Sequence, residues 1–154
     1  TIAFTVSDFR EKNNYFDYQI IGTDISSNIL EKAENAIYKE EKAAVIPMNV
    51  KKKYLLKSKN RTKPTVKIKP EIREKLTFYR LNFMDTHYKV PEDFHIIFCR
   101  NVLIYFNREI QYTVLQKLSS KLLPGGYLFL GHSESIVNMK LPLKQIKPTI
   151  YRKI

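Results

Sequence analysis

The chain has 154 residues, 44% of them hydrophobic, and a formal net charge of +12. That size and apolar content allow one domain with a buried core. The single cysteine, Cys99, excludes an internal disulfide and fits a reducing cytoplasm, and no apolar run reaches the ~18 residues of a membrane-spanning helix.

Thr1 to about Glu11 reads as the tail of a helix, with Ile2, Val6 and Phe9 on one face at spacings of four and three. A chain seldom begins inside an amphipathic helix without a cap. The start therefore reads as a boundary within a larger protein, and the lack of a visible signal peptide carries no weight. Tyr18 to Asp24 follows as a short strand ending in a carboxylate. Ser26 or Ser27 then caps a helix whose apolar face is Ile29 or Leu30, Ala33 and Ile37.

Residues 40–75 break this rhythm. Tyr54–Leu56 and Val66–Ile68 are short strands, and the polar stretch from Ser58 to Pro64 is the loop between them. The segment reads as a small antiparallel insertion, too polar to form a core layer. Between Lys51 and Lys75 eleven Lys and Arg stand against Glu71 and Glu74, so most of the net charge lies here. Such a segment attracts an acidic protein face or a phosphate backbone. It is equally a solvated lysine-rich surface.

Leu76 to Phe83 alternates loosely as a strand. Phe94 to Cys99 is almost continuously apolar, the pattern of a parallel strand buried on both faces. Asn107 caps the next helix, with Ile110, Val114, Leu115, Leu118 and Leu122 inside and Pro124-Gly125-Gly126 as its stop. Tyr127–Leu130 is another strand, and Leu143 to Ile154 supplies a last antiparallel pair. Strand and helix alternate, so the class is α/β with a mainly parallel sheet. Ligands of such sheets sit beyond the carboxyl ends of the strands.

The residues at those ends carry the chemistry. Asp24 is placed to accept ribose hydroxyls, or to sit favourably at a helix N-terminus. Asn82 offers both a donor and an acceptor to an adenine edge, with Phe83 to cover the ring; a turn Asn beside a core Phe reads as well. Arg100 and Asn101 follow the most apolar strand and face cofactor or substrate, or satisfy local carbonyls. Tyr105 can donate a phenolic hydrogen bond near a cleft, or be a core residue with a wet tip. His132-Ser133-Glu134 looks like a hydrolase triad, but adjacent residues rarely converge, and a loop near the substrate entrance is the better reading. No metal site is evident: His87, His95 and His132 are scattered, and His95 lies in an apolar strand as a structural residue. None of the four glycines forms a phosphate-binding fingerprint.

Three segments together resemble a known family. Ile21-Gly22-Thr23-Asp24-Ile25-Ser26, followed by Leu30-Glu31-Lys32-Ala33, looks like the second cofactor motif of the chemotaxis-receptor (CheR-type) methyltransferases. Phe98-Cys99-Arg100-Asn101-Val102-Leu103-Ile104-Tyr105-Phe106 resembles that family's most distinctive motif. The run from Pro124 to Ser135 matches a third, and Thr149 to Lys153 looks like the terminal strand. The resemblance implies a Rossmann-like methyltransferase fold over 1–154, mostly parallel with terminal antiparallel strands, the 40–75 insertion being a small β subdomain within it. It implies S-adenosylmethionine as cofactor, held by Asp24 on the ribose, Asn82 and Phe83 on the adenine side, and Arg100 and Asn101 along the pocket. Tyr105 would be the catalytic residue beside the transferred methyl.

The implied reaction is direct displacement by a receptor glutamate carboxylate, already ionised at neutral pH, so positioning supplies most of the rate. The implied partner is the cytoplasmic domain of a chemotaxis receptor, through its glutamate-bearing helices and, in some members, a C-terminal peptide added as a strand to the 40–75 insertion. The implied setting is cytoplasmic. Full-length members carry a preceding helical domain and a first strand with a Gly-Glu-Glu-Pro-Tyr type motif. That first strand and motif are missing here, so the fragment alone is expected to bind the cofactor poorly. The main alternative is a non-enzymatic scaffold that docks receptors or nucleic acid through the basic insertion. A second alternative is an S-adenosylmethionine enzyme acting on RNA; against it, no Asn-Pro-Pro-Tyr-like amino-methylation motif is present and the Cys-Arg-Asn segment points to the receptor family, so nucleic acid is the less favoured partner.

Overall fold

The computed structural model describes residues 1–90 and 93–154. The chain divides into two compact units, Thr1–Asn82 and Phe83–Ile154.

The first unit begins with α1 (Ile2–Lys12). The sequence face of Ile2, Val6 and Phe9 is corrected here: Phe4 and Ser7 are the buried positions, whereas Ile2 and Phe9 are exposed. The reason is an aromatic partner distant in sequence. Phe4 stacks on Tyr54 with ring centroids 4.7 Å apart, and both join Ile72 in the unit's hydrophobic cluster.

Strand β1 (Ile20–Asp24) leads into α2 (Ser27–Asn35). Ser26 occupies the N-cap but makes no capping bond with its side chain. Asp24, two residues back, instead braces the turn into the helix, its Oδ1 accepting from the Ser26 N–H at 2.8 Å. The predicted inner stripe of this helix also fails, because none of its residues is buried. Ala36 ends it in the left-handed conformation, φ 53°, and Ile37 starts a strand instead of closing the stripe.

That strand, β2 (Ile37–Lys39), joins an antiparallel sheet in the order β2-β4-β3, with β3 at Leu55–Lys57 and β4 at Thr65–Ile68. The hairpin from the sequence is present, but Tyr54 belongs to helix α3 (Met48–Tyr54), not to the strand. The segment is also less peripheral than its polarity implied. Tyr54 and Ile72 are buried in the cluster, with Val50, Leu55 and Ile68 packed against it. A short helix α4 (Pro70–Arg73) then leads to β5 (Leu76–Arg80), which pairs parallel with β1, Gly22 opposite Phe78 and Asp24 opposite Arg80.

The second unit holds a four-stranded sheet in the order β6-β7-β9-β8. Strand β6 (Phe94–Cys99) runs parallel to β7 (Leu122–Leu130), and β9 (Ile150–Lys153) pairs antiparallel with both β7 and β8 (Leu143–Lys147). The chain is thus α/β, with parallel pairs at β1/β5 and β6/β7 and the expected antiparallel strands at its end. Helix α5 (Arg108–Ser120) packs on β7 and buries Val114, Leu115 and Leu118. Asn107 caps it as predicted, its Oδ1 accepting from the Ile110 N–H at 3.0 Å.

Two expectations are corrected in this unit. Leu122 opens β7 and is not on the helix, and Pro124-Gly125-Gly126 lies inside β7, where the β6–β7 register shifts between the Phe94/Leu122 and Ile96/Tyr127 pairs. Strand β6 is not buried on both faces: Cys99 is buried, but His95, Ile96 and Phe98 are exposed. Its one hydrogen-bonded neighbour among the described residues is β7, and Phe98 covers itself only by stacking on Phe129, centroids 4.7 Å apart.

Candidate functional site

In the first unit, parallel pairing brings two of the predicted residues to neighbouring strand ends. Asp24 closes β1, and its backbone carbonyl accepts from the Leu81 N–H at 3.0 Å, just past the end of β5. Asn82 is the next residue, half-buried. Arg80 fastens the turn from the other side, its Nε donating to the Ile25 carbonyl at 3.1 Å. The half-buried Asp24 carboxylate therefore points one oxygen back at Ser26, while Oδ2 has no donor among the described residues. A carboxylate in this state is a ready acceptor for a ligand hydroxyl. Gly22 makes the close pairing possible: a Cβ there would lie 2.6 Å from two ring atoms of Phe78.

In the second unit, β6 and β7 end side by side, Cys99 paired with Leu130. Beyond them Arg100 and Asn101 are exposed, and Asn101 is left-handed with φ 58°. Asn adopts this region more readily than most residues. Across from it stands buried Gly131, where a Cβ would come within 2.8 Å of Asn101 Oδ1 and 2.7 Å of Glu134 Oε2. Three groups thus converge at the strand tips.

Glu134, 6% exposed, is the residue that sequence reasoning underrated. Its Oε1 accepts from the N–H groups of Val102 and Leu103, both at 2.8 Å, and its Oε2 from the Gly131 N–H at 2.6 Å. With every bond going to backbone, it is no member of a triad, in agreement with the rejection of one. The signal that could have found it is an acid three residues past a strand-ending glycine, the spacing of a carboxylate that folds back on its own loop. Burial, and then the Glu134 charge, push the neighbouring Cys99 thiol up to about 12.

Leu103–Tyr105 forms a single 3-10 turn. Gln111 holds it from the α5 side, its Nε2 donating to the carbonyls of Leu103 and Phe106, both at 2.9 Å. Tyr105 ends this turn and is 81% exposed, its ring open to solvent while its backbone is held on both flanks. Arg108 donates to the carbonyls of Ser135 and Val137 and so pins the segment after Glu134. Phe83 opens this unit, half-buried, its ring tilted against Tyr88 at 5.9 Å between centroids. Tyr88 donates its hydroxyl to the Phe83 carbonyl at 3.1 Å, and burial raises its pKa.

The basic insertion is partly spoken for. Lys53 binds Asp8 and Glu11, Lys57 binds Glu40, and Lys75 binds Asp17. Lys59, Arg61 and Lys63, on the exposed β3–β4 loop, form no ion pair among the described residues. Among the described residues no cluster of His, Cys, Asp and Glu could hold a metal ion, and no helix is long and apolar enough to cross a membrane.

Comparison with known proteins shows the family. The family model described as "CheR methyltransferase, SAM binding domain" matches residues 1–152. A chemotaxis protein methyltransferase of Borreliella burgdorferi is 34% identical over 154 residues, covering 99% of this chain and 53% of that protein. The chemotaxis protein methyltransferase of Escherichia coli is 31% identical over 134 residues, 87% of this chain and 47% of that protein. Chemotaxis protein methyltransferase 1 of Pseudomonas aeruginosa is 35% identical over 123 residues, 79% and 43% respectively. The chain thus spans about half the length of the curated relatives it matches.

Proposed function

Because this chain belongs to the CheR methyltransferase family, in its S-adenosylmethionine-binding domain, we propose that it forms the cofactor-binding part of an enzyme that methylates glutamate carboxylates of a chemotaxis receptor. The observation that carries the proposal is where the motif residues stand. Asp24 closes β1 and Asn82 lies two residues past β5 in one unit, and Arg100 and Asn101 follow the last residue of β6 in the other, so each set stands at the carboxyl ends of a parallel pair, where ligands of α/β sheets bind.

The residues present fit a nucleoside. Asp24 keeps one carboxylate oxygen for ribose hydroxyls while the Ser26 N–H holds the other. In the same unit Asn82 offers amide chemistry suited to an adenine edge; in the other unit, taken by itself, Phe83 offers an aromatic face and Arg100 with Asn101 offer polar groups beyond the end of β6. S-adenosylmethionine, when bound, supplies an electrophilic methyl on a sulfonium. Tyr105 is the proposed catalytic residue: its exposed phenol reaches an incoming carboxylate and orients it through a hydrogen bond. A glutamate side chain is ionised at neutral pH, so no side chain has to remove a proton. The contribution of the protein is orientation, which in favourable cases supplies several kcal/mol.

The receptor is proposed to meet the insertion. The β2 and β3 edges of the antiparallel sheet have no strand partner among the described residues and can accept a peptide as an added strand. Lys59, Arg61 and Lys63 give the adjoining loop a charge suited to an acidic receptor helix. Reversing these three tests the docking more cleanly than altering Lys53 or Lys57, whose ion pairs brace the unit.

The test of the activity uses the protein at its natural length, methyl-labelled S-adenosylmethionine and a receptor cytoplasmic domain. The expected product is base-labile methyl ester on receptor glutamates, abolished by Asp24→Ala through loss of cofactor binding. A protein that binds the cofactor yet forms no ester on any receptor helix would refute the substrate assignment.

A further inference from the structure

The chemistry at the tips of β6 and β7 depends on backbone that has no regular secondary structure. Residues 100–102 leave the strand, Asn101 turns left-handed, and a single 3-10 turn carries Tyr105. Nothing in local propensity fixes such a segment. Two backbone N–H groups, those of Val102 and Leu103, point at one carboxylate oxygen, and a third N–H, that of Gly131 at the end of the neighbouring strand, points at the other. A buried carboxylate that accepts only charge-assisted backbone bonds is among the stronger local restraints available to a loop. It also costs several kcal/mol to desolvate, so an apolar residue would fill the space at less expense if packing were its whole role.

We propose that Glu134 is a positioning residue: through the Val102, Leu103 and Gly131 amides it fixes where Asn101 and Tyr105 stand relative to the reacting groups. The proposal rests on the methyltransferase reading above. The geometry gives it a specific form. Oε1 ties the Asn101–Leu103 stretch and Oε2 ties the tip of the adjacent strand, so one side chain locks the two tips together. The Glu134 N–H closes the ring by donating to the Gly131 carbonyl at 3.1 Å. Gln111 holds the far end of the same turn. With both ends held, the exposed Tyr105 ring has a fixed base.

Glu134→Gln separates this role from bulk stability. The amide oxygen can keep the Val102 and Leu103 bonds, but the amide nitrogen then meets the Gly131 N–H, donor against donor. Gly131→Ala disturbs the same knot without removing the carboxylate, since its Cβ would press on Glu134 Oε2 and Asn101 Oδ1. In the natural-length protein, kcat at saturating cofactor and receptor is measured per folded molecule, beside calorimetric binding of S-adenosylhomocysteine. Amide hydrogen exchange at Val102 and Leu103 is followed in the ligand-free protein.

Both variants are expected to keep a cooperative melting transition, to exchange those two amides faster, and to lose kcat by about 10- to 100-fold, the range that small misplacements produce. Glu134→Asp, with a carboxylate one carbon shorter, is expected to restore part of kcat. Folded variants with wild-type kcat overturn the proposal while leaving the methyltransferase reading intact. Variants that no longer fold make Glu134 a stability residue and overturn it too. A wild-type protein that neither binds the cofactor nor forms methyl ester defeats the reading itself, and this proposal with it.

Discussion

Gly22→Ala offers a quantitative test of how β1 and β5 are joined. The two residues face each other in parallel register, and a Cβ on Gly22 would lie 2.6 Å from both Cδ1 and Cε1 of Phe78. Ordinary contact begins near 3.4 Å, so the ring must retreat by about 1 Å or turn, and overpacking of that kind costs about 1–3 kcal/mol. Against it stands a gain of roughly 0.5–1 kcal/mol, because alanine loses less backbone freedom than glycine in a strand. The net expectation is a loss of roughly 0 to 2.5 kcal/mol. Phe78→Leu opens the space, so adding it to Gly22→Ala should recover part of that loss. Urea unfolding of the four proteins of this double-mutant cycle reads the coupling directly. The reasoning fails if the single and double substitutions add without coupling, since that places Phe78 away from Gly22. Cofactor affinity is a second readout, because Asp24 lies two residues along the same strand.

Two further outcomes are expected. The Cys99 thiol, held near 12, should resist iodoacetamide in the folded protein at pH 8 and react at the rate of an ordinary thiol once urea unfolds it; fast native-state labelling would contradict its burial. Asp8 has its pKa lowered, first by the Lys53 hydrogen bond and then by that of Tyr54, and Asp17 has its own lowered, first by Lys75. A carboxylate depressed in the folded state adds stability above its unfolded pKa and loses it as pH falls through the folded value. Thermal melts should therefore drop below about pH 4, and less so in Asp8→Asn; an equal drop in both proteins would show that Asp8 has no part in it.

What could be read from sequence follows from how local each signal is. Helix α5 was legible because its cap and inner stripe lie within one stretch, Asn107 bonding Ile110 and Val114, Leu115 and Leu118 facing inward. The tips of β1 and β6 were legible because an apolar run stops abruptly at a polar residue. Helix α3 was not, since Lys51, Lys52 and Lys53 mask the Val50 and Tyr54 spacing, and what buries Tyr54 is Phe4, fifty residues away in sequence. The end of α2 was missed because the left-handed residue that closes it is Ala36, not a glycine. Strand β6 read as doubly buried from composition alone, but burial depends on what covers a strand, and Ile96 and Phe98 are uncovered among the described residues.

The least legible distinction was between two acids near strand ends. Asp24 closes β1 and Glu134 lies four residues past the end of β7, and composition treats them alike. Their bonding separates them. Asp24 is half-buried and spends one oxygen on Ser26, which orients the carboxylate and leaves acceptor capacity at Oδ2. Glu134 is buried and has both oxygens engaged by backbone amides. An acid with an unused oxygen at a strand tip is equipped to take a ligand; an acid saturated by its own backbone is equipped to shape the loop that takes one. The two roles predict opposite patterns on substitution. Asp24→Asn should weaken cofactor binding and leave the surrounding amides protected from exchange, whereas Glu134→Gln should loosen those amides first and affect the ligand only through them.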